Sequence, residues 1–232
     1  MLVLVALARA TAAQDLGGGI RGSVVSHGQP VGQALIEARG QSGRITVQSA
    51  TAASDGFYVL RDLPPGIYNL KVTATGLRSA EIHEVQIDIA TVRLPAIPLE
   101  IGLFIDCGLA RSPAFYRPST GVAESGAVGG VVVSDRAMPV QGATVSLYMK
   151  GKGRIESQKT TDGGRFDFTG LQVHSDEYWL SIESEGCFTE EEPHLLVLPG
   201  FESVYSPITI ESCSPGHCQP HLKTIRVIPP CA

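Results

Sequence analysis

Aromatic side chains are scarce in this chain, at 6% of 232 residues, with Phe 7, Tyr 6 and Trp 1. Nucleic-acid platforms interleave aromatic with basic residues, and no such stretch occurs here. Charge is also thin, at 18% with a net value of −5. Its acidic and basic residues are scattered, which leaves no basic stripe for nucleic acid and no polybasic patch for a membrane surface. A bilayer span takes about 20 consecutive apolar residues, and no run of that length exists. Long helical periodicity is missing as well, while Gly 26 and Pro 15 punctuate the chain throughout. That combination excludes an all-α or βαβ architecture and predicts an all-β one.

Catalytic frameworks are equally lacking. The chain has no His-Glu-x-x-His, no Gly-x-Ser-x-Gly and no Gly-Lys-Ser/Thr loop. Gly17-x-Gly19-x-x-Gly22 fits a dinucleotide pattern, but no strand precedes it and no helix follows. His27, His83, His174 and His194 stand apart from one another, as loop or surface histidines do. The expectation is a non-enzymatic protein without a cofactor.

What is present is a repeat. Ser54-Asp55-Gly56-Phe57-Tyr58-Val59-Leu60 reads as a turn and a strand, and Leu63-Pro64-Pro65-Gly66 as a corner. In the strand after it, Tyr68, Leu70 and Val72 alternate with Asn69, Lys71 and Thr73. Downstream, Asp162-Gly163-Gly164-Arg165-Phe166-Asp167-Phe168 and Tyr178-Trp179-Leu180-Ser181-Ile182 follow the same plan. Ile20–Val24 answers Val128–Val132, Pro30–Ile36 answers Pro139–Val145, and Gly76 answers Gly186. Matches in one order at a nearly constant offset indicate an internal duplication.

Strands are expected over 20–25, 34–38, 44–50, 80–89 and 91–99, besides the two in the repeated stretch. With those two they make about seven per copy, the number a sandwich uses. The pattern Gly22-x-Val24, Pro30 to Ile36, Ser54 to Tyr58, then Leu63 to Tyr68 resembles the carboxypeptidase regulatory-like domain. That resemblance implies two tandem seven-stranded Greek-key β-sandwiches of the transthyretin or prealbumin type, related to starch-binding-like modules. The second copy departs from the pattern, because 172–177 replace Pro-Pro-Gly and predict a longer corner. The resulting division is a signal peptide at 1–13, sandwiches at 17–101 and 127–213, a linker at 102–126 and a tail at 214–232. Within the linker, Leu103, Phe104 and Ile105 are expected to pack on a domain, with 118–126 looser.

Export is expected because the apolar run Met1–Ala8 is followed by small residues at Ala10–Ala13, although no Lys or Arg precedes it. Five cysteines in an exported chain point to disulfides with one thiol left over. Pairing Cys187 with Cys213 and Cys218 with Cys231 leaves Cys107, although spacing does not fix connectivity. The alternative is a zinc site of Cys213, His217, Cys218 and His221, against which the spacing counts. Tyr178, Leu180 and Ile182 should face the core, so Trp179 should point outward, where the first copy has Asn69. An outward tryptophan suits a sugar ring or a protein partner, unless the linker or the C-terminal strand covers it. Two functions follow: a structural, adhesion or assembly element of the bacterial envelope or extracellular space, or a polysaccharide-binding protein using Trp179 with Tyr116 or Tyr205.

Overall fold

The computed structural model describes residues 17–41, 47–100, 113–119, 124–173, 178–184, 187–205 (backbone alone for 187–194) and 207–210. The described residues are all-β. The first half contains β1 (Gly18–Ser26), β2 (Gln29–Pro30), β3 (Leu35–Gly40), β4 (Val47–Thr51), β5 (Phe57–Leu63), β6 (Gly66–Thr73), β7 (Ala80–Ile87), β8 (Thr91–Arg93) and β9 (Ile97–Pro98). The second contains β10 (Phe115–Pro118), β11 (Ser125–Ser134), β12 (Thr144–Met149), β13 (Gly153–Lys159), β14 (Arg165–Gln172), β15 (Tyr178–Ser184), β16 (Cys187–Leu195), β17 (Phe201–Val204) and β18 (Ile208–Ile210).

The ladders repeat as the sequence does. β1 pairs antiparallel with β5, and β11 with β14. The set β4–β3–β6–β7 is matched by β13–β12–β15–β16. β8 and β9 run parallel to β1, as β17 and β18 run parallel to β11. Irregularities recur too: the register shifts at Gly18/Ile20 and Gly126/Val128, and again at Tyr68/Leu70 and Tyr178/Leu180. Where one strand was expected over 91–99, β8 and β9 are separate. Pro95 lies between them and has no N–H to give a ladder.

Turn chemistry explains the coincidence. At Asp55-Gly56 the carboxylate Oδ1 accepts the Phe57 N–H at 3.0 Å, and Gly56 takes φ +76°. A Cβ at Gly56 would run into the Val24 carbonyl, and one at Gly164 (φ +69°) into the Val132 carbonyl. Those carbonyls belong to the strands that the turns close over, so only glycine fits. At the Pro64–Gly66 corner the left-handed residue is Asp62 (φ +55°), upstream of the prolines. Asp tolerates that region better than most residues. Tyr68 then locks the corner by donating its hydroxyl to the Pro64 carbonyl at 2.8 Å. Tyr178 does the same to Gln172 at 3.0 Å, across a corner two residues longer.

Two apolar cores result. One gathers Ile20, Ile36, Tyr58, Leu70, Ile82 and their neighbours, the other Val128, Val145, Leu147, Phe168, Tyr178 and Leu180. They share a sheet. Its order is β14-β11-β17-β10-β7-β6-β3-β4, so β10, from the segment expected to be a linker, carries the ladder across the boundary. β10 is antiparallel to β17 and parallel to β7. Tyr116 of β10 and Phe201 of β17 both enter the first core, with ring centroids 6.0 Å apart. Residues 103–105, 1–13 and 214–232 lie outside the described residues.

Candidate functional site

Trp179 stands on the outer face of the sheet β13-β12-β15-β16, where strand alternation sends it once Tyr178 and Leu180 turn inward. It is half-buried, and among the described residues a cross-strand partner stacks on it. Tyr148, its register neighbour on β12, stacks on it at 5.4 Å with 9° between the planes. Such pairs stabilise a sheet by roughly 0.2–1 kcal/mol. The next row along the strands is hydroxylic: Ser181 faces Ser146, whose Oγ lies 3.0 Å from the Ser157 Oγ. Ser146 and Ser181 are buried at 6% exposure each and Ser157 is exposed, so the stacked rings with Ser157 are what this face offers to a sugar.

Tyr116 and Tyr205, the other aromatics expected at a ligand face, are buried at 6% and 3% exposure. Burial raises the Tyr116 phenol well above its ordinary range; Glu100 adds to the effect and Arg78 opposes it. Tyr205 accepts the Leu196 N–H at 2.6 Å and belongs to the second core. Both rings do structural work, so of the three aromatics expected at a ligand face Trp179 is the one left on a surface. Tyr148 was readable from the repeat. It occupies the register position of Arg39, which faces Asn69 in the first half.

The matching position in the first half has a different task. Asn69 Oδ1 accepts the Glu84 N–H at 3.2 Å, at a β-bulge on β7 where Glu84 has φ +60°. A tryptophan could not do this, because an indole has no acceptor. The bulge turns His83 and Glu84 toward β10. His83 stacks on Phe115 at 4.2 Å, and Glu84 Oε2 lies 3.2 Å from Arg117 Nε. Arg117 in turn reaches Glu202 Oε2 of β17 at 3.7 Å and covers the Phe115 ring at 5.1 Å. Sequence reasoning missed this junction, since its residues come from three strands with no common motif.

Cys107, Cys213, Cys218, Cys231, His217 and His221 lie outside the described residues, and of Cys187 only the backbone is described, at the start of β16. Among the described residues no group of three or more His, Cys, Asp or Glu is placed to hold a metal. Among them, too, no helix is long and apolar enough to cross a membrane.

Residues 19–99 match the family model of the carboxypeptidase regulatory-like domain. The match covers the first half only, ending beside β9. Comparison with the curated proteins returns no match. Among solved structures, the chain is similar to the Bacillus anthracis TIE protein at 16% identity and TM-score 0.33, over 84% of this chain and 34% of that one. It thus spans about a third of the TIE protein's length. It is similar to GBS52, the minor pilin of Streptococcus agalactiae, at 12% identity and TM-score 0.35, over 88% and 99% of the two chains. The shaft pilin SpaA from Lactobacillus rhamnosus GG matches at 8% identity and TM-score 0.29, over 85% and 98%.

Proposed function

We propose that the chain is an exported, non-enzymatic strut built from two regulatory-like β-sandwiches, 17–101 and 127–213, serving a structural or assembly role in the bacterial envelope or outside the cell. The observation that carries this reading is β10, hydrogen-bonded on both edges between β7 and β17, so that one sheet backs both cores. A flexible tether would let the halves reorient, as is usual for small interdomain contacts. A shared ladder, a shared core ring and the Glu84–Arg117–Glu202 bridge resist that motion. A module that transmits force or sets a spacing needs this stiffness.

Small-angle scattering from the full chain tests it. The profile should fit one rigid body, and replacing 114–118 with Gly-Ser repeats should broaden the distance distribution. A wild-type profile that requires independently moving halves rejects the strut. Fractionating cells that express the chain with residues 1–13 intact tests export: retention in the cytoplasm rejects that part.

A second reading, carbohydrate binding, is favoured by the Tyr148–Trp179 stack on the outer face of its sheet. Trp179 is the sole tryptophan, so intrinsic fluorescence reports on it alone. Soluble glucans should shift the emission, and Tyr148→Ala should weaken the response. A flat titration across a polysaccharide panel leaves only the strut.

A further inference from the structure

The outer face of the long sheet, opposite both cores, holds a cleft of about 710 Å³ where β14, β11, β17, β10 and β7 run side by side. Its floor is low because the side chains there are short: Ala127, Val131 and Val204, with Gly129 between them. A Cβ on Gly129 would collide with Glu202 Oε1, so the missing side chain is what lets the Glu202 carboxylate lie across the floor. One wall carries Phe115, Arg117 and Glu84, and the other Arg165, Asp167 and Thr169. The volume lies within the range of roughly 300–1,000 Å³ that holds a ligand or a short peptide stretch.

The lining chooses among occupants. A sugar would look for a free aromatic face, but Phe115 has His83 stacked on it at 4.2 Å and the Arg117 guanidinium over it at 5.1 Å. Charge is unevenly met. Arg117 is divided between Glu84 at 3.2 Å and Glu202 at 3.7 Å, the latter too long for a tight ion pair. Proton affinity at Glu202 is raised, first by burial, then by Asp167 and Glu84, against the opposing pull of Arg117. A further cation close to Glu202 and Asp167 would relieve both. An ammonium has three donors and no acceptor, and its four-carbon stem can lie along an apolar floor.

We propose that this cleft docks an extended segment of a partner protein that lays a lysine side chain between Glu202 and Asp167, with its aliphatic stem along Val131 and Val204. This is a second surface, on a different sheet from Trp179, and does not depend on whether the Trp179 face binds sugar.

The test is an amide-resolved NMR titration of the full-length chain with acetyl-Val-Thr-Lys-Val-Thr-amide, and with the same peptide carrying norleucine for lysine. The lysine peptide should shift the amides of Ala127, Gly129, Val131, Asp167 and Val204 saturably. Norleucine keeps the stem and loses the charge, and should bind about tenfold more weakly or worse. Glu202→Gln with Asp167→Asn should abolish the preference. Asp167→Asn alone, on an exposed strand position, serves if the double variant melts early. Equal response to the two peptides, no response up to the solubility limit, or shifts confined to the Trp179 sheet would overturn the proposal. So would self-association in sedimentation that perturbs the same amides without peptide, which would make the occupant a second copy.

Discussion

Tyr58 and Phe166 occupy matching places, each ring lying over a glycine of the neighbouring strand, Gly22 and Gly130. They differ by one hydroxyl, and that of Tyr58 is buried with no hydrogen-bond partner among the described residues. Burial accordingly drives its ionisation far above the ordinary tyrosine range. An unmet buried polar group costs about 1–3 kcal/mol, so Tyr58→Phe should leave stability unchanged or raise it by up to that amount in urea unfolding. A fall of more than about 1 kcal/mol would mean that the hydroxyl has a partner, such as an internal water. Glu202 gives a pH-dependent counterpart. Its carboxyl holds a proton more tightly in the folded chain than its ordinary value of 4.5 implies, chiefly through burial. In the window from that value up to the raised one, the native state binds more protons than the unfolded state, so stability falls as pH rises through it. Melting temperature followed across mildly acidic pH should show this slope, and Glu202→Gln should flatten it. Identical slopes in the two proteins would contradict the assignment.

Among elements, the register shift recurs in both halves, and what sets the first apart is Asn69 as the acceptor at the β7 bulge. Asn69→Ala removes the acceptor of the Glu84 N–H and should cost about 1 kcal/mol, with faster hydrogen exchange in β7 and β10. Unchanged exchange in β10 would show that the bulge does not support the junction. The paired corners make a comparable experiment. Tyr68→Phe and Tyr178→Phe each delete one hydroxyl-to-carbonyl bond and should each cost about 0.5–1.5 kcal/mol. The tyrosines belong to different cores, so their effects should add in the double variant. These elements were legible beforehand because their signals are local. Asp-Gly turns, the Tyr68–Leu70–Val72 alternation and the inward Tyr178 each need only neighbouring residues to be recognised. β10 was not legible: Phe115-Tyr116-Arg117-Pro118 is four residues long, lies among turn formers and has no alternation of its own. It is a strand because β7 and β17 already offer it open edges.

For the whole molecule, Phe201 is the informative residue. It lies in the second half of the chain, is 1% exposed and packs in the first core. Phe201→Ala should cost about 3–5 kcal/mol, the usual range for a buried ring, and should raise exchange in β6 and β7 as well as in β17. Protection lost only after residue 124 would show that the halves fold independently. Tyr116 and Tyr205 show the same limit of sequence reasoning. Read singly, they were aromatics in loop-like surroundings; in the folded chain one fills the first core, and the other, in the second, accepts the N–H of Leu196, which packs on the first. Local periodicity and turn chemistry determined that this chain is all-β, that its plan repeats, and that Trp179 faces away from the core, because those properties depend on residues a few positions apart. Tertiary structure alone decided that the halves share a sheet and that Glu84, Arg117, Asp167 and Glu202 meet in one cleft. Those contacts join residues far apart in the chain, and their geometry exists only once the strands have paired.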